Sequence, residues 1–201
     1  SFLGRPLEVT FPKGTGTIAV RYHTGPHARA LQWLKPRQTA DKKFPFLFTQ
    51  GQAILTRSWI PIQDSPGIRF TYSATVKVPK ELMAVMSGTN PQERSADGIY
   101  TFEQKQPVPA YLIALAVGDL AFKPVDARTG VYAERGVLDK AAWEFADMGR
   151  MLQVAEELYG PYRWGRYDVI VLPPSFPFGG MENPCLTFAT PTIIAGDRSL
   201  T

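Results

Sequence analysis

Ile68-Arg69-Phe70-Thr71-Tyr72-Ser73-Ala74-Thr75-Val76-Lys77-Val78 alternates apolar and polar residues without a break. Successive side chains of a strand point to opposite faces, so Ile68, Phe70, Tyr72, Ala74, Val76 and Val78 predict a half-buried antiparallel strand. Asp64-Ser65-Pro66-Gly67 supplies the turn ahead of it. The same period of two recurs over residues 7–11 and at Ile18, Val20 and Tyr22. It predicts further strands over 82–87, 99–104 and 110–117, with Gly88-Thr89-Asn90-Pro91 as a separating turn. Short strands with turn residues between them read as a β-sandwich.

Beyond Leu120 the period changes. Ala141, Phe145, Met148, Leu152, Ala155 and Tyr159 recur every three or four residues, which predicts a single helical stripe. Asp139 is the expected N-cap, and Gly160-Pro161 the stop. Strands are expected over 167–172 and 186–190. The switch from all-β to strand, helix and strand over 123–128 divides the chain into residues 1–123, a β-sandwich domain, and 124–201, an α+β part. The fold class is therefore mostly β with an α+β C-terminal part.

Composition removes several functions. A chain of 201 residues, 44% apolar, can bury a core without covalent staples. Its longest uncharged apolar run, 107–118, falls short of the ~20 residues a membrane span needs, so no membrane partner is expected. One cysteine, Cys185, excludes an internal disulfide and any multi-cysteine metal site; it reads as a small buried thiol. The net charge of +4 comes from dispersed lysines and arginines. The densest stretch, 29–43, carries no nucleic-acid-binding signature, so it reads as a solvated loop. His23 and His27 have the i, i+4 spacing of a helical zinc pair, but Gly25-Pro26 between them breaks a helix, and they read as loop residues. Gly14-Thr15-Gly16-Thr17 lacks the lysine of a phosphate loop and reads as a turn. Ser175 is not in a nucleophile elbow.

The segment Pro173-Pro174-Ser175-Phe176-Pro177-Phe178-Gly179-Gly180-Met181-Glu182-Asn183-Pro184 carries chemistry. Its prolines stiffen both ends, while Gly179-Gly180 presents bare backbone to close approach. Glu182 is the single carboxylate in a stretch otherwise uncharged from Val169 to Gly196. Two readings follow from composition alone: a structural role, capping a helix or pairing with an arginine such as Arg163 or Arg166, or a grip on a cationic ligand group.

Gly179-Gly180-Met181-Glu182-Asn183 resembles the G-x-M-E-N exopeptidase motif of the H-E-x-x-H zinc aminopeptidases. The longer string from Leu172 to Phe188 is similar to the leukotriene A(4) hydrolase branch of that family and its bacterial aminopeptidase relatives. So are Ala30-Leu31-Gln32-Trp33-Leu34, Gln50-Gly51-Gln52-Ala53-Ile54, Val78-Pro79-Lys80-Glu81-Leu82 and Tyr111-Leu112-Ile113-Ala114-Leu115, in the same order along the chain. The resemblance implies an N-terminal saddle-shaped β-sandwich, incomplete at its start, followed near Pro124 by the beginning of a thermolysin-like catalytic domain. It implies that substrate backbone pairs with the G-x-M-E-N strand, a form of β-strand addition. Glu182 would receive the free α-ammonium. Phe178, Gly179, Gly180, Met181 and Asn183 would line the cleft, and Gly51, Gln52 and Ala53 would reach in from the sandwich. Catalytic zinc is implied for the full-length protein, with ligands expected beyond Thr201. The 201 residues alone are expected to carry no catalytic residue, bind no catalytic zinc and hydrolyse nothing. The implied partners are a peptide with a free N-terminus and the remainder of the chain itself. Whether the full-length protein also opens a lipid epoxide stays open. So does location: the lone cysteine suits the cytoplasm, while a secreted or periplasmic home stays open because Ser1 does not look like a natural start. The rival reading is a non-enzymatic β-sandwich module that binds peptide or protein and uses Glu182 structurally.

Overall fold

The structure is a computed structural model that describes residues 5–201. Its strands are β1 (Leu31–Leu34), β2 (Phe46–Thr49), β3 (Arg69–Lys77), β4 (Met83–Met86), β5 (Ile99–Pro109), β6 (Leu115–Gly118), β7 (Leu120–Pro124) and β8 (Thr129–Glu134). Helices α1 (Arg135–Glu144) and α2 (Met148–Tyr159) follow, then β9 (Tyr167–Val171), β10 (Gly180–Met181) and β11 (Leu186–Ala189). A four-stranded sheet in the order β1-β2-β6-β4 and the β3-β5 pair make up the first part. A five-stranded sheet in the order β10-β11-β9-β8-β7 makes up the second. All pairings in the first part are antiparallel, whereas β9 runs parallel to both β8 and β11. The chain is thus mostly β with an α+β C-terminal part, and it passes from one sheet to the other at Asp119.

β3 follows its sequence pattern: Phe70, Tyr72, Ala74 and Val76 are half-buried, and the residues between them are exposed. β5 is longer than the alternation over 99–104 predicted, and its register against β3 shifts between Phe70 and Tyr72. The 110–117 expectation is corrected at its start. Ala110–Leu112 form a 3-10 turn, and the ladder begins only at Leu115. Ile18, Val20 and Tyr22 alternate but join no ladder among the described residues, and like Leu7, Val9 and Phe11 they are exposed. Alternation fits a chain for pairing; without a strand beside it, it builds no sheet.

In the second sheet the period of two serves two cores at once. Tyr132, Ile170, Leu186 and Phe188 face the cluster that also holds Phe46, Phe48 and Met83 of the first part. Val131, Ala133, Val169, Val171 and Ala189 face the opposite way, onto Ala141 and Phe145. Strands covered on both faces read as continuous apolar runs. The two parts share one apolar core and also exchange carboxylates. Glu134, at the end of β8, accepts from the Ala40 and Asp41 amides at 2.8 and 3.3 Å. Asp41 in return accepts from the Gly136 amide in the first turn of α1 at 3.0 and 3.2 Å. Burial pushes the Glu134 carboxyl above its ordinary range, partly offset by the two amides it holds.

The helical stripe is corrected in two ways. α1 begins at Arg135, so Asp139 lies inside it and pairs with Lys123 at 2.6 Å instead of capping. A 3-10 turn, Phe145–Asp147, then separates α1 from α2. Next to this break the Glu144 carboxylate is buried and accepts from the Gly196 and Arg198 amides. Gly160 ends α2 with a φ of +87°, as the sequence predicted. Arg128 donates to both carboxylate oxygens of Glu156 at 2.9 and 2.8 Å, and the Tyr162 amide donates to the same carboxylate.

These donors, the guanidinium foremost, hold the Glu156 pKa down to about 2. A carboxyl whose pKa falls on folding contributes stability above its unfolded value, which is lost as pH drops through the folded one. Arg128→Ala is therefore expected to lower the urea midpoint at pH 7 and to raise the Glu156 pKa. The gap to wild type should close as pH falls from the ordinary glutamate value toward about 2. Urea titrations across that range, with carboxylate NMR of Glu156, check it; a gap that persists unchanged at the acid end would refute this account.

Candidate functional site

β10 is two residues long because Pro177 cannot donate ahead of it and the chain turns back directly after it. It pairs with β11 through Gly180 opposite Ala189 and Met181 opposite Phe188, and the Thr190 amide donates to the Gly179 carbonyl at 3.0 Å. β10 is the last strand of its sheet, so its other edge has no ladder partner among the described residues. In an antiparallel ladder alternate residues turn their N–H and C=O to opposite sides. With Gly179 bonded to Thr190, the backbone of Gly180 faces the free edge. A methyl group at Gly179 would meet nothing within 4 Å, and one at Gly180 would meet only the Phe188 carbonyl, at 3.2 Å. The bare backbone here is open to the outside.

The residues on either side divide into supports and an exposed group. Met181 is buried, and Asn183 is buried where it turns the chain toward β11. The Asn183 amide donates to the Met181 carbonyl at 2.9 Å, and its carbonyl accepts from Leu186 at 3.2 Å. Phe178 is 46% exposed and packs edge-on against Phe176 at 6.0 Å between ring centroids. Phe176 in turn meets Phe48 of β2 at 5.6 Å and Phe188 of β11 at 6.2 Å. Glu182 between them is exposed and has neither a hydrogen bond nor an ion pair among the described residues.

The pairing of Glu182 with Arg163 or Arg166 is not made among the described residues. Arg166 is engaged by Asp168, through Nε at 3.1 Å and a terminal nitrogen at 2.9 Å, and no ion pair joins Arg163 to Glu182. Desolvation raises the Asp168 carboxyl and the guanidinium pulls it back.

The loop after β2 arrives at the same place. Gln50 is buried, and its side-chain amide donates to the Met181 sulfur at 3.7 Å. The sequence signal for this junction is a polar residue directly after the fully buried run Phe46–Thr49, which alone implies no role. Gly51 is buried, Gln52 and Ala53 are exposed, and the peptide between those two is cis. The structure thus brings the Gln50–Ala53 turn against the strand that carries Glu182. Cys185 is buried at a φ of +64°, with burial pushing its thiol up to about 11. Its sulfur contacts the Trp164 carbonyl and the Gln104 amide, which makes it a packing residue. His23 and His27 are exposed in a non-helical stretch.

Comparison with known proteins bears on the same segments. The peptidase M1 N-terminal domain matches residues 7–112, and the peptidase family M1 domain matches residues 143–201. Leukotriene A-4 hydrolase of Xenopus laevis is 51% identical over 210 residues, covering 100% of this chain and 34% of that protein. Aminopeptidase B of Rattus norvegicus is 48% identical over 206 residues, covering 100% of this chain and 31% of its own length. Native leukotriene A4 hydrolase of Saccharomyces cerevisiae superposes with a TM-score of 0.81 at 44% identity, over 88% of this chain and 27% of that one. The yeast enzyme in complex with bestatin gives a TM-score of 0.82. The chain spans about a third of the length of the curated relatives it matches.

Proposed function

Because this chain belongs to the M1 peptidase family, we propose that the protein it is part of is a zinc aminopeptidase that removes the first residue of a peptide. The observation that carries the reading is Glu182, an exposed carboxylate without a partner beside an edge strand of bare glycine backbone. An extended peptide adds to such an edge by main-chain hydrogen bonds, and Gly180 offers its N–H and C=O to it. Glu182 then meets the α-ammonium, so that a free N-terminus sets the register and only the first peptide bond reaches the reacting position. Gln52, exposed on the turn that Gln50 holds against Met181, lines the same end.

The relatives imply a metal cofactor. Among the described residues there is no group of three or more His, Cys, Asp and Glu side chains able to hold one. These residues therefore do not fit a metal site, and the zinc of this reading belongs to the remainder of the protein. What this chain supplies is the binding and registration of substrate.

The test is hydrolysis of a dipeptide amide by the whole protein, with and without acetylation of its amino group. Release of the first residue from the free substrate, lost on acetylation, is the expected outcome. Equal cleavage of both, or cleavage of neither, would overturn the reading.

A further inference from the structure

With neither a hydrogen bond nor an ion pair of its own among the described residues, Glu182 takes its place from the residues on either side. On one side Met181 is buried and met by the Gln50 amide. On the other, Cys185 is buried with a φ of +64°. Residues with side chains rarely adopt that left-handed conformation, and it persists where the surroundings over-determine it. At Cys185 every polar group is engaged. Its amide donates to the Tyr162 hydroxyl at 3.2 Å and its thiol to the Trp164 carbonyl at 3.4 Å. Its carbonyl accepts from the Asp168 amide at 3.2 Å. The sulfur also receives the side-chain amide of Gln104, from β5 of the first part, at 3.9 Å. Gln104 is itself buried and fixed: its amide donates to the Ser87 carbonyl at 2.9 Å, and its oxygen accepts from the Gln106 amide at 3.1 Å.

Tyr162 lies between α2 and β9, where its ring packs against Trp164 and Tyr167 with centroids 5.3 and 5.7 Å away. Burial raises its hydroxyl above the ordinary tyrosine value, and the Cys185 amide pulls it partly back. Only Glu182, Asn183 and Pro184 stand between Met181 and Cys185. Proline holds its own φ near the usual value, and Asn183 is tied to both Met181 and Leu186. So short a turn passes any shift of Cys185 on to Glu182. We propose that Tyr162 and Gln104 are positioning residues: acting through Cys185, they hold the Glu182 carboxylate at the end of the glycine edge of β10. Tyr162 fixes the turn from the α+β part and Gln104 fixes it from the sandwich. This role rests on the reading of Glu182 as receiver of the α-ammonium, and adds which side chains set its place.

Tyr162→Phe in the whole protein removes one hydroxyl and keeps the ring. Misplacing a bound group by about 1 Å costs about a hundredfold in rate, so loosening one anchor should cost kcat/KM on the free dipeptide amide about tenfold. Gln104→Met is the second variant; the Ser87 carbonyl keeps the Tyr72 hydroxyl at 2.6 Å, so no buried acceptor is orphaned there. Each is also combined with Glu182→Gln. Residues that work as a unit are not additive, so the further loss in that background should stay within about twofold. Equal losses in the two backgrounds would overturn the positioning role and leave the role of Glu182 standing. Full activity of Glu182→Gln alone would overturn both. Hydrogen exchange reads the anchors without any assay: the amides of Glu182, Asn183 and Cys185 should exchange at least about tenfold faster in both variants than in wild type. Unchanged exchange would refute the proposal.

Discussion

Glu182→Gln in the whole protein is expected to lower kcat/KM for peptides with a free N-terminus by one to two decades and to leave the fold intact. Glutamine keeps the shape and an acceptor oxygen but removes the charge. A hydrogen bond to a charged group contributes about 1.5–3 kcal/mol, and each 1.4 kcal/mol is roughly a factor of ten. Preference for free over acetylated substrate should shrink by the same factor, since the acetylated substrate never made the contact. Stability should hardly move, because Glu182 is exposed without a partner among the described residues and such substitutions stay within about 0.5 kcal/mol. Kinetics on the matched substrate pair together with a urea titration decide it. A fall in stability with unchanged substrate preference would return Glu182 to a structural role.

Gly51→Ala is expected to act the other way round, through the fold first. A methyl group at Gly51 would lie 2.6 Å from the Thr56 hydroxyl, 2.7 Å from the Tyr111 carbonyl oxygen and 2.9 Å from the Tyr111 Cα. Two of these neighbours are backbone and cannot rotate away. The third is held by its own hydrogen bond to the Ala110 carbonyl at 3.0 Å. Overpacking of this kind costs about 1–3 kcal/mol. The turn would have to shift and carry Gln50 off Met181, so activity should drop along with the urea midpoint. Gly179→Ala is the matched comparison, because its added methyl meets nothing within 4 Å. It should keep the midpoint and lose substrate binding only. If the two variants proved equally stable, the tight packing of the Gly51 turn would not be what sets the site.

Legibility in the sequence followed from how each element is buried. β3 was readable because one of its faces is exposed, so its pattern alternates. β2, with all four residues buried, and β8, with all six, were passed over, since a short run buried on both faces has no period to detect. The break between α1 and α2 was invisible locally: Glu144 is engaged by amides more than fifty positions along the chain. The G-x-M-E-N segment was readable by resemblance, and composition left Glu182 divided between two roles. The cue that bears on this was present in Arg166 and Asp168. Asp168 lies two residues from Arg166, within reach of its guanidinium, and the structure pairs them. Gln50 was missed as the junction because nothing local says which sulfur a buried amide will find.

The exchange of carboxylates between Glu134 and Asp41 has a bearing on recombination. Each part of the molecule holds backbone amides of the other through a carboxylate. Gly136 is tied in as well, since a methyl group there would lie 2.2 Å from an Asp41 oxygen. The three positions form one hydrogen-bonded unit distributed across the point where the chain changes sheets. A chimera joined at Asp119 keeps this clasp only if both halves carry matching residues at these three positions.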